Sequence, residues 1–212
     1  MPGKHVRFAF DDSYFPVSAI HSPSGSTSTS SSSATRRHVP RRSHTLSAVP
    51  TVSRVNRLLE YSDTPVLSYD LSLPTSTLRT NLINLSSAAL SEPATQPSQA
   101  QLTVSCAHLP WVFTLKASNG RYVTVMDVLN GLHTSLRANI TTAEWNLLDN
   151  DRSMRAVSDA YVRRYSRLAG HRGYAEEKAG GVKRIDFLMG TNQFRGLVMA
   201  KDGRRWILDV GR

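Results

Sequence analysis

Cys106 and His108 form a pair whose residue types and spacing suit nucleophilic catalysis. Two residues apart on a strand, a thiol and an imidazole lie on one face, as a thiolate and its base require. The same cysteine, however, continues the apolar alternation of Leu102 and Val104, and Pro110 suggests that the strand ends near His108. We therefore interpret Cys106 as a buried structural thiol.

Other residues with catalytic or ligand-binding chemistry have spacings that do not define a site. Asp127 and Asp186 could be acids in a cleft, but Asp127 falls in the first turn of a predicted helix, where the helix dipole favours a carboxylate. Four of the seven histidines precede residue 45, and the others lack metal-ligand spacing. The glycine-containing segments lack phosphate-loop spacing. The sequence thus predicts no bound metal and no cofactor. It indicates no catalytic residue, and whether the protein is an enzyme stays uncertain.

A basic helix face is the strongest signal for nucleic acid. The arginines of this face are Arg152, Arg155, Arg163 and Arg167, opposite an apolar face of Met154, Val157, Tyr161, Tyr165 and Leu168. Four guanidinium groups could bind phosphates. Because no aromatic side chain is interleaved among them, and charged helix faces are commonly just solvated, we keep nucleic-acid binding as an alternative only.

The N-terminal segment KHVRFAFDD contains a candidate docking motif. Lys4, Val6 and Phe8 resemble the motif that binds type-one serine/threonine protein phosphatase: a basic residue, then valine, one further residue and phenylalanine. Val6 and Phe8 would point to one side of an extended chain and could fill two apolar pockets. Alternatively, Val6–Phe10 adds a strand to this protein's own domain, or has no partner.

Thr45 is a candidate phosphorylation site. Arg42 lies three residues before it, a spacing that basophilic kinases prefer, and the phosphate would suit an arginine-lined phosphopeptide reader of the 14-3-3 type. The neighbouring arginines could equally form a nuclear-localisation patch.

Composition restricts the compartment and the class of protein. The chain has 212 residues, a net charge of +10 and one cysteine, which suits a reducing compartment rather than a disulfide-stabilised secreted domain. No apolar run approaches the ~20 residues of a membrane span, and no secretory signal begins the sequence. We expect an intracellular protein, cytoplasmic or nuclear, without a membrane partner.

The first quarter of the chain is expected to lack a packed core. Residues 18–53 are rich in Ser, Thr, Pro and Arg, and cannot bury enough surface to offset a backbone entropy of about 1–2 kcal/mol per residue. We predict a disordered arm over residues 1–55, with the short motif at 4–10, followed by a single compact domain over 56–212. A flexible surface loop is expected near residues 86–100.

Apolar–polar alternation predicts strands at Leu102–Cys106 and Trp111–Lys116. Asn119-Gly120 predicts a tight turn, after which a short strand, Arg121–Val123, would return along the second strand. Upstream, residues 56–61 are expected to form a short helix.

Three further segments have helical patterns. Thr124 caps the first, whose apolar stripe is Val125, Val128, Leu129, Leu132 and Leu136. Thr141 and Glu144 form a capping box for a second, ending near Asn150. The third covers Arg152–Ala169. Residues 171–181 are expected to be a loop, and 182–190 a helical segment or short strand ending at Gly190.

A hairpin about Asp202-Gly203 completes the predicted fold. The turn pairs Met199 with Trp206 and Leu197 with Leu208 on one face, and Val198 with Ile207 on the other. Because both faces are apolar, we expect the hairpin inside the sheet. The predicted class is α+β, with a mainly antiparallel sheet and three to four helices.

Several of these segments carry a family resemblance. PVLSYDLSLP, YVTVMDVLNGLHTSL, TTAEWNLL, GVKRIDFLMG and FRGL, in that order, resemble a fungal domain of unknown function that is abundant in basidiomycetes. The resemblance covers about residues 61–210, with Tyr69 standing where a tryptophan is expected. It implies a fungal intracellular protein with one compact domain, and brings no activity, cofactor or catalytic set.

The sequence therefore favours a non-enzymatic interaction or scaffold protein with a regulated arm and a protein partner still to be identified. The alternatives are an enzyme whose site is not recognised and a nucleic-acid binder that uses the arginine face.

Overall fold

The structure is a computed structural model that describes residues 53–80 and 85–212. Its strands are β1 (Arg54–Val55), β2 (Leu67–Ser68), β3 (Arg79–Thr80), β4 (Thr95–Gln96), β5 (Gln101–Cys106), β6 (Val112–Lys116), β7 (Gln193–Met199) and β8 (Trp206–Gly211). Its helices are α1 (Ser87–Leu90), α2 (Val125–Leu136), α3 (Thr142–Trp145), α4 (Asp151–Ser166) and α5 (Tyr174–Ala179), with 3-10 segments at Thr75–Thr77 and Arg184–Leu188. Helices combined with mainly antiparallel strands confirm the predicted α+β class.

The main sheet has four strands in the order β6-β5-β8-β7. β5 pairs antiparallel with β6, and β8 pairs antiparallel with β7, whereas β5 and β8 are parallel neighbours. The predicted alternation is confirmed, because Leu102, Val104, Phe113 and Leu115 are all buried on the inner face. Two small sheets, β1-β4 and β2-β3, lie outside this sheet.

The C-terminal hairpin has the predicted register, with Met199 opposite Trp206 and Val198 opposite Ile207. Only β8 lies inside the sheet, whereas β7 is the last strand on its side. The segment 59–71 covers that edge: the Leu197 amide, for example, donates to the Leu59 carbonyl at 2.7 Å. The expectation that the whole hairpin lies inside the sheet is therefore wrong for β7. The face of the hairpin that carries Val198 and Ile207 is exposed.

α2 supplies the layer that packs on the sheet. Thr124 Oγ1 accepts a hydrogen bond from the Asp127 amide, and the Asp127 carboxylate accepts one from the Thr124 amide, so the capping box is closed in both directions. All five residues of the predicted stripe are buried. This burial places the core between α2 and the inner face of the sheet.

The expected helix at residues 56–61 is instead a turn. The Asn56 side chain accepts a hydrogen bond from the Leu58 amide, and its carbonyl accepts one from the Leu59 amide. Asparagine side chains compete in this way with helical backbone bonds. The turn buries Leu59 and sends the chain along β7.

Residues 86–100, where a flexible surface loop is expected, contain α1 and β4. β4 pairs with β1, and Ala94 and Thr95 are buried. Through this pairing Arg54 and Val55 belong to the described domain. The expected strand Arg121–Val123 is also wrong: Val123 donates to the Gln99 carbonyl and accepts from the Ala94 amide, and so pairs away from β6.

The boundaries of the later helices also differ from the predicted ones. α3 has its predicted capping box but ends at Trp145, earlier than the expected end near Asn150. Asn150 instead caps α4, where its side chain accepts a hydrogen bond from the Ser153 amide. The expected loop at 171–181 contains α5. The helical alternative for residues 182–190 is confirmed as the 3-10 segment Arg184–Leu188, which ends where Met189 (φ +52°) and Gly190 (φ +96°) leave the helical conformation.

Candidate functional site

α4 places an arginine on its buried face, seven residues after Val157. The Arg164 side chain is only 7% exposed. Its Nε and Nη2 each donate to a carboxylate oxygen of Asp186 at 2.8 Å, and Nη2 also donates to the Gly181 carbonyl. Nη1 contacts Glu177. A buried cation is tolerated here because each of its nitrogens has an acceptor.

Glu177 joins three cations. Arg137 donates to both of its oxygens at 2.6 and 2.7 Å, Arg164 adds a third hydrogen bond, and Lys183 Nζ lies 3.5 Å from Oε2. Burial alone would raise the pKa of Glu177, but the Arg137 hydrogen bonds and the Arg164 charge outweigh burial and lower it to about 2. We call Arg137, Arg164, Glu177, Lys183 and Asp186 the central ion-pair cluster. It fixes α5 against α2 and α4.

A second charged group ties α3 to the start of β6. Arg184 donates to Glu144 at 2.9 Å, and its guanidinium lies 4.9 Å from the centre of the Trp111 ring. Trp111 Nε1 also donates to Glu144. Burial works to raise the pKa of Glu144, but the Thr141 backbone and Arg184 hydrogen bonds lower it overall. Glu144 therefore caps its own helix and also binds Arg184 and Trp111, which are distant in the sequence.

The charged residues of the motif VKRID all serve these contacts. Lys183 and Asp186 belong to the central ion-pair cluster, and Arg184 binds Glu144. Asp127, the other candidate acid, accepts backbone hydrogen bonds at the start of α2, which lower its pKa against the opposing effect of burial. Both candidate acids are thus held in structural contacts.

A cleft of about 310 Å³ opens beside the central ion-pair cluster. Its walls include Leu73, Pro74, His133, Arg167 and Leu168. His133 Nδ1 lies 3.3 Å from the Leu71 carbonyl, and burial lowers the pKa of its imidazole, which is therefore neutral at pH 7. The cleft offers a neutral imidazole and an arginine beside apolar side chains.

Cys106 is buried, 4% exposed, in the centre of the sheet, beside Leu208 of β8. Burial raises the pKa of its thiol, and its hydrogen bond is with the backbone of His108. His108 itself lies exposed in the turn after β5. The interpretation of Cys106 as a structural thiol is confirmed.

The four arginines of the predicted basic face are exposed, but they have different surroundings. Arg163 Nη2 lies 3.5 Å from the Met189 carbonyl. Arg167 donates to Ser72 at 3.1 Å and lies 3.5 Å from Asp70. Arg152 and Arg155 occupy the first turns of α4, about 22 and 18 Å along the helix from Arg167. The basic face therefore has two halves: Arg163 and Arg167, which contact neighbouring residues, and Arg152 and Arg155 near the start of α4.

The outer face of the sheet carries exposed apolar side chains. Val112 pairs with Ser105, Ser105 with Ile207, and Ile207 with Val198, so these residues form one row across all four strands. Val112, Val198 and Ile207 are 56%, 43% and 37% exposed. We call these three residues the outer-face row. Its signal in the sequence was the apolar second face of the hairpin.

The other candidate residues, Lys4, Val6, Phe8 and Thr45, lie outside the described residues. Within residues 53–80 and 85–212, no three His, Cys, Asp or Glu side chains are grouped as a metal site would require. In the same ranges, no helix has the length and apolarity needed to cross a bilayer.

The fold and site define an α+β domain in which buried charges pair internally and one sheet face carries an exposed apolar row. Residues 67–204 match the Family of unknown function (DUF6699), and the chain belongs to this family. Searches of curated proteins and of solved structures gave no significant match. The match confirms the sequence resemblance to a family of unknown function.

Proposed function

We propose that this chain is a non-enzymatic interaction protein whose domain binds another polypeptide on the outer face of its four-stranded sheet. The observation that carries the proposal is the outer-face row, in which Val198 and Ile207 are neighbours, Val112 lies beyond Ser105, and all three apolar side chains are exposed. In this proposal the protein is fungal, of basidiomycete origin, and acts in the cytoplasm or nucleus, as the family resemblance and single cysteine suggest.

The outer-face row continues into a groove. With neighbouring strands about 4.8 Å apart, the row spans about 14 Å from β6 to β7. At its β7 end, Val198 also lines a groove of about 530 Å³ between β1 and β7, together with Val55 and Met199. Row and groove meet at Val198, and the row alone is long enough for an extended segment of about five residues.

Charges near this surface indicate the chemistry of the ligand. Arg54 and Glu60 line the groove, and the β7–β8 turn adds Lys201, Arg204 and Arg205, of which Arg205 lies 3.4 Å from Asp202, so that cations outnumber carboxylates near the surface. A basic margin beside an apolar row suits a segment that has alternating apolar residues next to carboxylates. We therefore propose an extended apolar segment with an acidic flank as the ligand.

The pairing of buried charges supports interaction over catalysis. Glu177, Asp186 and Glu144 are each held by arginine, and Cys106 is a buried thiol with a raised pKa. Groups used in this way stabilise the fold and are poorly placed to exchange protons with a substrate.

Site-specific photo-crosslinking tests the proposal. The photoreactive residue p-benzoylphenylalanine would replace Ile207 in the full chain, with Arg152 replaced as the matched surface control. In extracts of the native cell we expect an adduct with a discrete protein at position 207, absent at 152, and lost when Val112→Ser and Val198→Ser are added. Identical adduct patterns at the two positions would contradict the proposal.

Nucleic-acid binding is the second candidate, favoured by the exposure of Arg152 and Arg155 and by the net charge of +10. It requires the free half of the basic face to contact phosphates.

For the N-terminal motif we propose type-one serine/threonine phosphatase as a partner of Lys4, Val6 and Phe8. The support is the spacing of the three residues in the sequence. A peptide of residues 1–15 titrated against the phosphatase catalytic subunit should bind with micromolar affinity, and Val6→Ala/Phe8→Ala should abolish binding. No measurable binding of the native peptide would end this idea.

A further inference from the structure

We infer that the cleft between α2, the end of α4 and residues 72–74 binds a small monocarboxylic acid that has an apolar body and a hydroxyl group. The inference goes beyond the proposed function, because the cleft and the outer-face row share no residue. Four features of the cleft support it: an arginine with an unused edge, the balance of charge, a histidine with an unused acceptor, and the apolar walls.

Arg167 lines the cleft with half of its guanidinium unused. Nη1 donates to Ser72 Oγ at 3.1 Å and lies 3.5 Å from Asp70 Oδ2, whereas Nε and Nη2 make no hydrogen bond within the described part of the chain. Nε and Nη2 are two parallel donors, which suit a carboxylate. Arg164 uses the same two nitrogens to bind Asp186. Because Ser72 and Asp70 hold Arg167 from its Nη1 side, the other edge can bind the carboxylate of a ligand.

The balance of charge around the cleft suits one negative charge. Glu177, the carboxylate of the wall, already accepts from Arg137 and Arg164 and contacts Lys183. The wall and its ion-pair partners contain four cations and three carboxylates, a net charge of +1: Arg137, Arg164, Arg167, Lys183, Asp70, Glu177 and Asp186. A phosphate dianion would exceed this charge beside the partly negative C-terminal ends of α2 and α4.

His133 adds a hydrogen-bond acceptor to the cleft wall. Its Nδ1 lies 3.3 Å from the Leu71 carbonyl, and since a carbonyl only accepts, Nδ1 carries the proton. The ring is neutral at pH 7 because burial lowers its pKa. Nε2 is then an acceptor, and no donor contacts it in residues 53–80 and 85–212. A ligand hydroxyl group could donate to it.

Apolar side chains complete the wall between these polar groups. They are Leu73, Pro74 and Leu168, of which Leu73 is 39% exposed. The Leu73 carbonyl accepts from the Tyr69 hydroxyl at 3.0 Å, which fixes this side of the cleft. The volume of about 310 Å³ lies at the small end of the range for ligand sites, about 300–1,000 Å³. The ligand is therefore a compact acid with a small apolar body.

Titration of the full chain, followed by leucine and isoleucine methyl NMR, tests the inference. The probes are 4-hydroxybenzoate, 4-hydroxyphenylacetate and 3-(4-hydroxyphenyl)propanoate, which separate the hydroxyl group from the carboxylate by increasing distances. For the best of them we expect saturable shifts of the Leu73 and Leu168 methyls with a Kd of about 0.1–1 mM. Leu147, an exposed leucine outside the cleft, should not shift. The amide of the same acid, which lacks the charge, should bind at least about tenfold more weakly.

Two variants assign the polar contacts. Arg167→Gln should weaken binding of the best acid by about tenfold or more, whereas the matched change at another exposed arginine, Arg121→Gln, should leave it unchanged. His133→Phe keeps a ring but removes the Nε2 acceptor. It should weaken binding of the hydroxylated acid and leave its analogue without the hydroxyl group unaffected. The buried Ile185 methyl reports that each variant is folded.

Three results would overturn the inference: no saturable shift with any of the three acids, equal affinity for acid and amide, or shifts of Leu147 that parallel those of Leu168. An unchanged affinity in Arg167→Gln would overturn it as well. The crosslinking experiment at position 207 probes different residues, so either proposal can fail while the other stands.

Discussion

Glu177 shows how single residues hold this domain together. It lies on a six-residue helix, too short to be stable by helix propensity alone. Hydrogen bonds from Arg137 and Arg164 fix it against α2 and α4. The carboxylate thus ties residues 174–179, where a loop is expected, to the rest of the domain as a helix.

Glu177→Gln should destabilise the domain in a pH-dependent way. The folded pKa of about 2 lies below the ordinary value of 4.5, so the ionised group stabilises the fold above about pH 4.5, and this contribution disappears as the pH falls toward 2. At pH 7 we expect a loss of roughly 3–5 kcal/mol, the scale for breaking a buried ion pair. Urea unfolding at pH 7 and pH 2.5 measures the difference, which should shrink at the lower pH.

The exposed neighbour supplies the control for this experiment: Glu176→Gln should change the free energy of unfolding by less than about 0.5 kcal/mol at either pH. A difference between native protein and Glu177→Gln that stays constant from pH 7 to 2.5 would contradict the role of the ionised carboxylate.

Trp206→Ala should also be costly. Trp206 is 4% exposed and faces the core beside Val104. We expect a loss of about 3–5 kcal/mol, as for other buried aromatic side chains. Ile207→Ala, the next residue on the exposed face, should cost less than about 1 kcal/mol. Thermal unfolding measures the Tm of both variants. A similar drop in Tm for both would contradict the burial of Trp206 on one sheet face and the exposure of Ile207 on the other.

Residues whose partners are close in sequence were predictable. Thr124 with Asp127, and Thr141 with Glu144, are three residues apart, and both capping boxes are present. Arg164 was missed because its partners, Glu177 and Asp186, lie 13 and 22 residues away. Its position in the apolar stripe of α4, seven residues after Val157, was the available signal of a buried cation.

At the scale of elements, the edge of β7 depends on one glycine. Gly196 has a φ of +133°, and a Cβ there would overlap the backbone of Glu60 and Tyr61. The bulge at this point lets the segment 59–71 lie directly against β7. Without that segment, the hairpin would present an unpaired edge.

Gly196→Ala should therefore separate the segment 59–71 from β7. Backbone strain and overlap together should cost roughly 2–4 kcal/mol. Gly203→Ala is the matched control: its φ is +65°, but open space surrounds the missing Cβ, so about 1 kcal/mol is expected. Hydrogen exchange should show faster exchange at Leu197 and Phe194 in Gly196→Ala only. Equal destabilisation by both variants would contradict the close approach.

Elements with strong periodicity were predicted from sequence, and elements made by distant pairing were not. α2, β5, β6 and the C-terminal hairpin each bury a regular apolar pattern. By contrast, β1 and β4 are two-residue strands that exist because they pair with each other across some forty residues. The parallel pairing of β5 with β8 likewise has no local signal, since only the assembled core determines it.

At the scale of the whole molecule, the net charge of +10 predicts weak binding of any polyanion at low salt. We expect random oligonucleotides to bind at 50 mM salt and to be released by 200 mM. Arg152→Gln/Arg155→Gln should weaken binding no more than the matched pair Arg204→Gln/Arg205→Gln. Fluorescence anisotropy measures both. A selective loss with the first pair, lowering the salt slope by about 2, would favour the nucleic-acid alternative.

The position of β8 has a consequence for how the protein is made. β8 lies in the middle of the sheet, between β5 and β7, yet its residues, 206–211, are translated after those of every other strand. A nascent chain that has reached Gly203 exposes unpaired edges on both β5 and β7. The four-stranded sheet is therefore completed only when β8 has left the ribosome, and a chain cut before Trp206 would be a substrate for chaperones and proteases.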